Sequence, residues 1–238
     1  MKVVVLGLGG WISSPWAGYP GIYIKTDLDI LIDAGEGTYA RLAQCGLGLP
    51  QVVVLSHAHG DHILGVPTLL LMARQKGLRL KVVATPSVLD SLGKILEAVH
   101  MPHLAQHMEA VALPPDGAVQ IGSTKISFAP AIHSVEAVHV RLEHEGKCLA
   151  YSGDTAPSPK LVELARNCDL LVHEVSGNPG QEEPAHSVGH STTRDAVELA
   201  KAAGVKALLP LHFYISTPLL PPSEINVYIP HLCSSIEL

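Results

Sequence analysis

Short apolar runs bounded by glycine, proline or aspartate recur along the first third of the chain. Four of these runs predict strands, at residues 2–6, 21–25, 29–33 and 52–55. The first and the last each hold four consecutive apolar residues, which is typical of strands buried on both faces. A helical periodicity over residues 38–45 predicts a short helix between two of these strands.

The rest of the chain mixes helical and strand patterns. Helices are predicted at residues 63–76, 87–100, 158–166 and 192–203, the last with Ser191 as its N-cap and Gly204 as its stop. Four or five strands are predicted between residues 110 and 152, and single strands at 169–173 and 205–211. This order predicts an α/β fold in which two facing sheets carry helices on their outer faces. No linker or short-period repeat interrupts it, so we expect a single domain over residues 1–238.

Composition agrees with a compact globule, because hydrophobic residues make up 47% of the 238 positions and charged residues only 16%. Aromatic residues are scarce at 4%, so the core must be built from Val, Leu, Ile and Ala. The formal net charge of −6 argues against a broad surface that follows a nucleic-acid backbone.

The location of the chain is inferred from its N-terminus and its cysteines. The apolar run at residues 3–6 is too short for a signal peptide, and nothing approaches the roughly 20 apolar residues that span a bilayer. Cys45, Cys148, Cys168 and Cys233 are widely spaced, without a Cys-x-x-Cys pair. We therefore expect reduced thiols in a cytoplasmic protein without a membrane partner.

A dense group of potential metal ligands directly follows the apolar run at residues 52–55. The segment from Ser56 to His62 reads Ser-His-Ala-His-Gly-Asp-His, which is three imidazoles and one carboxylate in a single loop. Histidine nitrogen and carboxylate oxygen are common zinc ligands. Further histidines and aspartates stand at later predicted strand ends, which a chance histidine-rich loop would not explain. The pattern predicts a site for two metal ions.

These segments together resemble the metallo-β-lactamase superfamily and, within it, the ribonuclease Z-like branch. The resemblance covers nearly the whole chain and implies a four-layer αββα sandwich. Gly-Glu-Gly-Thr at residues 35–38 and Gly-His-Ser-Thr at residues 189–192 narrow it to that branch. The other matching segments are residues 6–10, 31–34, 57–62, 131–134, 151–155, 171–174 and 209–212.

The resemblance implies two zinc ions per chain, with manganese or iron as alternatives because the same ligand types serve several metals. The ions would share a hydroxide that attacks phosphorus, and Asp61 would orient that nucleophile. One ion would be held by His57, His59 and His133, the other by Asp61, His62 and His212, and Asp154 would bridge the two.

Three residues outside the ligand set are also implied to act at the site. His190 would stabilise the transition state or protonate the leaving oxygen, although it could instead be a residue that begins a helix. Glu174 would hold His190 by a hydrogen bond, with a purely structural carboxylate as the alternative. Asp33 would support the metal loop or simply cap a turn.

Departures from ribonuclease Z concern the substrate. That enzyme carries a long arm that grips transfer RNA between the third ligand and the bridging aspartate. Here His133 and Asp154 are only 21 positions apart, which leaves room for a hairpin. We therefore predict a phosphodiesterase acting on small or nucleotide-like esters, without extended RNA binding. The alternatives are a ribonuclease Z-type endonuclease, a lactonase or arylsulfatase on the same metal site, and a metal-binding protein without turnover.

Several remaining patterns have a structural and a functional interpretation. His100, His103 and His107 have helical spacing, but no carboxylate or cysteine among them supports a third metal site. A solvated or rim-lining face is favoured, with contact to substrate as the main alternative. His139 and His144 are expected at exposed positions of a hairpin. Trp11 and Trp16 form either an aromatic wall for substrate or ordinary packing. The apolar run at residues 69–72 is either core or the face of a homodimer, which the family also suggests.

Overall fold

The computed structural model describes residues 1–14, 16–214 and 218–238. Within these ranges the predicted helices and strands occur in the predicted order, with differences at their ends and with further elements that the pattern does not predict. In chain order the elements are β1 (Lys2–Gly7), β2 (Gly21–Lys25), β3 (Asp29–Ile32), α1 (Thr38–Gln44), β4 (Val52–Val54), α2 (Gly60–Ile63), α3 (Val66–Gln75), β5 (Leu80–Ala84), α4 (Pro86–Ala98), a 3₁₀ helix (Pro102–His107), β6 (Met108–Ala112), β7 (Ala118–Ile121), β8 (Thr124–Pro130), β9 (Val138–His144), β10 (Lys147–Tyr151), α5 (Pro159–Leu164), β11 (Leu170–Glu174), α6 (Glu182–Ser187), α7 (Thr193–Ala203), β12 (Ala207–Leu211), β13 (Asn226–Val227) and β14 (Ser235–Glu237).

The strands form two mixed sheets. The first has the order β14-β1-β2-β3-β4-β5-β6 and the second the order β13-β12-β11-β10-β9-β8-β7. Strands β3 to β6 run parallel, as do β10 to β13, while the hairpins are antiparallel. Parallel neighbours end at the same edge of a sheet, so the loops that follow β4, β10, β11 and β12 leave from corresponding edges.

Three apolar clusters fill the space between the layers. The largest lies between the sheets and includes Ile24, Val54 and Val140. A second packs α1, α3 and α4 on the outer face of the first sheet, and a third packs α5 and α7 on the outer face of the second. Helix, sheet, sheet and helix therefore form four layers, which confirms the predicted αββα sandwich.

The predicted helix at residues 63–76 is divided into α2 and α3. A Cβ atom on Gly65, between the two, would lie 2.1 Å from the carbonyl oxygen of Gly35, so this close approach requires glycine. At α7 the N-cap is Thr192 rather than Ser191, since the Thr192 side chain accepts from the backbone N–H of Asp195 in a capping box. The pattern also failed to predict β5 and α6.

The prediction of reduced cysteines is wrong. Cys45 is bonded to Cys233, and Cys148 to Cys168. Spacing in the sequence does not reveal that α1 and the last strand are neighbours, and disulfide pairing depends on that proximity. The cytoplasmic location loses this support, because structural disulfides are rare in most reducing compartments. Among the described residues, no helix has the length and apolar character needed to cross a bilayer.

Two further expectations are changed by packing. His139 and His144 are buried rather than exposed. Helix α5 contacts β8 and β9 on the face where His139 lies, whereas His144 lies on the opposite face, with its Nδ1 3.2 Å from Thr124 Oγ1. In the apolar run of α3, Leu69 and Leu70 are fully buried in the core cluster, so core packing accounts for them. The homodimer stays a prediction.

The buried His139 should make the fold sensitive to acid. Its Nδ1 donates to the carbonyl oxygen of Ser152 at 2.6 Å, and burial lowers its pKa from the usual 6.5 to about 4. Between these values the unfolded chain binds the proton more readily, so stability falls as the pH drops through this window. We expect a loss of about 3 kcal/mol from this group between pH 7 and pH 4.

The measurement is the free energy of unfolding in urea over that pH range for the wild type and His139→Gln. Glutamine can keep the bond to Ser152 but does not titrate, so the difference between the two curves isolates the imidazole. A difference that does not vary with pH would contradict the expectation.

Candidate metal centre

All the predicted ligands leave the C-terminal ends of strands. The loop after β4 and the short helix α2 carry His57, His59, Asp61 and His62. The others follow β8, β10 and β12, whose ends face this loop across the sandwich; they are His133, Asp154 and His212.

The structure brings the predicted ligands into two groups in which the ligand atoms all lie within 4.8 Å of one another. Asp154 belongs to both groups. Its Oδ2 lies 3.6 Å from His57 Nε2 and 3.2 Å from His212 Nε2. The first group is His57, His59, His133 and Asp154, and the second is Asp61, His62, Asp154 and His212.

The unpaired atoms in these groups fit metal ions. Buried polar atoms normally have a hydrogen-bond partner. Four buried atoms of these ligand residues have none among the described residues. They are His57 Nε2, Asp61 Oδ1, His62 Nε2 and Asp154 Oδ1. Imidazole nitrogen and carboxylate oxygen are the donors that zinc accepts.

Hydrogen bonds fix the orientation of the histidine ligands. His62 Nδ1 donates to Asp33 Oδ2 at 2.7 Å, and His133 Nδ1 donates to the carbonyl oxygen of Gly189 at 2.8 Å. Asp33 is fully buried and also accepts from the Tyr151 hydroxyl at 2.8 Å. Each bond leaves Nε2 facing the cluster, as is usual for histidines that bind metal. Asp33 thus contacts the metal loop, as the first of its two interpretations implies.

The cluster is strongly coupled electrostatically. Burial alone would raise the pKa of Asp154, but the neighbouring His212 and His62 lower it well below its usual range. Burial lowers the pKa of His57, and the adjacent His62 adds to that effect. The Asp154 carboxylate thus stays ionised and the His57 imidazole neutral, as metal binding requires. Against the opposing effect of burial, Asp154 raises the pKa of His62 and His212, so metal binding there would release their protons.

His190 and Glu174 lie at the edge of the cluster. His190 Nδ1 donates to Glu174 Oε1 at 2.9 Å, and although burial opposes it, the Glu174 carboxylate raises the pKa of His190. Glu174 is itself held by the backbone N–H of Thr155 at 3.2 Å. This arrangement leaves His190 Nε2 available to a substrate.

The sequence reasoning missed Ser176. Its hydroxyl donates to Glu174 Oε2 at 3.0 Å and lies 3.1 Å from His212 Nδ1, so it links the acidic partner of His190 to a predicted ligand. A serine two residues after a glutamate at a strand end is too common a pattern to have revealed this.

A protein-family model described as a β-lactamase superfamily domain matches residues 29–213 of this chain. The chain belongs to the metallo-β-lactamase superfamily. It is also 30% identical to a protein named Ribonuclease Z from Ignicoccus hospitalis, over 89% of this chain and 87% of the relative.

Solved structures of the metallo-β-lactamase fold superpose on the whole chain. The human short-form tRNase Z has a TM-score of 0.84 at 21% identity and covers 100% of this chain and 99% of its own. A diphosphatase of the PhnP family has a TM-score of 0.80 at 20% identity, with 100% of this chain and 97% of its own covered. These similarities show the shared fold, and the superfamily identifies the chain as a hydrolase.

The two tryptophans, for which the sequence allowed either a substrate wall or ordinary packing, lie at different places on this metallo-β-lactamase fold. Trp11 contacts the metal loop, with its ring 5.7 Å from that of His59, whereas Trp16 lies at a separate cavity. Pro15, between them, is outside the described residues, as are residues 215–217 in the C-terminal region.

The histidines with helical spacing lie elsewhere. His103 accepts a hydrogen bond from Arg74 at 3.1 Å, and His107 donates one to the Leu78 carbonyl oxygen at 3.3 Å. They therefore make exposed contacts with α3 and with the loop that follows it, and neither belongs to the two ligand groups.

Proposed function

We propose that this hydrolase is a dinuclear zinc phosphodiesterase. The observation that carries the proposal is the pair of ligand groups joined by Asp154, with unpaired donor atoms in each. One zinc ion would be held by His57, His59 and His133 and the other by Asp61, His62 and His212, with Asp154 shared between them.

The protein side of the reaction follows from the positions of three side chains. Two bound zinc ions would supply Lewis-acid charge and lower the pKa of water. Asp61 Oδ2 lies 3.2 Å from His212 Nε2 and its buried Oδ1 has no hydrogen-bond partner among the described residues, so this carboxylate can orient the attacking water. His190 would donate a proton from Nε2 to the leaving oxygen, and Glu174 would hold the ring in that orientation.

A ribonuclease Z-type endonuclease is the second candidate, supported by the curated relative of that name. Against it, only a short loop and the hairpin of β9 and β10 lie between His133 and Asp154. We therefore favour small or nucleotide-like esters over folded RNA. A lactone or a sulfate ester could use the same metal centre and is tested alongside.

The test combines metal counting with substrate comparison. We expect about two zinc ions per chain, and hydrolysis of bis(p-nitrophenyl) phosphate that a chelator abolishes and zinc restores. Asp61→Asn should lower kcat/KM by about 10²-fold or more, because the orienting carboxylate is lost. The matched control is Asp90→Asn, which changes an exposed aspartate on α4 that pairs with Lys94.

The same preparation is then assayed with a lactone, an aryl sulfate and a precursor transfer RNA. Faster zinc-dependent turnover of the lactone or the sulfate would overturn the phosphodiester assignment. Cleavage of the precursor at its 3′ side, with a steep dependence on salt, would favour the ribonuclease candidate instead.

A further inference from the structure

A cavity of about 360 Å³ opens beside the metal centre, where His190 and His212 form part of its wall. This volume is at the lower end of the range for small-molecule sites. Trp11, Val188 and Tyr214 supply much of the remaining wall. A group attached to an ester oxygen near His190 would therefore enter a small space with apolar sides.

Two of these wall residues offer exposed apolar surface. Trp11 is 60% exposed and Val188 is 58% exposed. The Trp11 ring meets His59 edge-on, at an interplanar angle of 89°, so its orientation relative to the metal loop is defined. A flat ligand that covers these side chains would remove apolar surface from water and gain an aromatic contact.

The cavity wall offers a second phosphate no lysine or arginine among the described residues. Its polar lining residues are Ser176, Gln181, Tyr214, His190 and His212. The adjacent helix α6 begins with Glu182, which pairs with Arg194 at 3.1 Å, and with Glu183. A second phosphate would therefore find little net positive charge on this side, whereas a neutral ring requires none.

We infer that this cavity binds a flat, uncharged aromatic substituent of the ester, attached at the oxygen nearest His190. The inference rests on the proposed phosphodiesterase function and adds the class of group that the substrate carries. Recognition comes from Trp11 and Val188, and the phosphoryl group stays at the metal centre.

Phosphonates test this without turnover, because their carbon–phosphorus bond is not an ester. Calorimetry on the zinc-loaded full chain would compare phenylphosphonate, methylphosphonate and 2-aminoethylphosphonate. We expect phenylphosphonate to bind about 10- to 100-fold more tightly than methylphosphonate, which corresponds to burial of one aromatic ring. Equal affinities would overturn the inference alone, since phosphoryl binding would persist. Failure of all three to bind would overturn the proposed function, and the inference with it.

Two variants locate the preference. Trp11→Ala and Val188→Thr should each reduce the phenyl-to-methyl affinity ratio, to below about threefold for Trp11→Ala. The matched control is Val99→Thr, which makes the same change at an exposed valine at the end of α4. A ratio unchanged in both cavity variants would show that the ring binds elsewhere.

Discussion

Replacing Asp154 by asparagine is expected to lower kcat/KM by about 10³-fold and to reduce the zinc content from about two ions per chain to one or fewer. Asp154 is 2% exposed, and its oxygens lie 3.3 Å from His62 Nε2 and 3.2 Å from His212 Nε2. Asparagine has the same shape but no negative charge, so the two proposed zinc ions would lose the carboxylate charge that they share. Metal analysis after dialysis, with kinetics on the same sample, measures both effects.

The control for Asp154→Asn is Asp195→Asn, which neutralises another buried aspartate. Asp195 accepts from the Thr192 backbone N–H at 2.8 Å in the capping box of α7, away from the proposed ligands. That variant should lose about 1 kcal/mol of stability and keep its zinc. Two zinc ions bound with unchanged affinity in Asp154→Asn would contradict the bridging role.

The loss of activity in His190→Ala is expected to depend on the leaving group of the substrate. If His190 donates a proton, its loss should lower kcat by about 10²- to 10⁴-fold for an alkyl ester, whose alkoxide leaves poorly without protonation. Because p-nitrophenolate leaves without a proton, the same variant should lose far less on the nitrophenyl ester. The zinc content should not change, because His190 is outside the proposed ligand set.

Two variants check this interpretation of His190. Glu174→Gln keeps an oxygen acceptor for His190 but removes the carboxylate charge, so it should show the same dependence on leaving group with a smaller loss. His186→Ala is the matched control, because His186 lies on the neighbouring α6 and pairs with Asp195 instead. Equal losses on both esters in His190→Ala would show that His190 does not act as the acid.

The sequence predicted most of the fold because each element has a local pattern. The run from His57 to His62 was recognisable for the same reason, since its side chains are neighbours in the chain. His133, Asp154 and His212 are far apart in the sequence, and only the family resemblance grouped them before the structure brought their atoms together.

The errors concern contacts between distant segments. The pairing of Cys45 with Cys233 depends on the last strand packing beside α1, which no local pattern encodes. The exposure of His139 was mispredicted because a hairpin pattern does not show that a later helix, α5, will cover it. Ser176 was missed because its importance lies in which atoms surround it.

The bond between Cys45 and Cys233 joins residues that are 188 positions apart. It closes residues 45–233 into a covalent ring, and the segments before and after them lie outside that ring. A protease that cuts once inside the ring would open it without releasing a fragment. The nicked protein would keep its mass in a non-reducing gel and separate into two pieces only after reduction. A cleaved backbone and a separated chain are therefore two different events in this molecule, and only reduction of the disulfide turns the first into the second.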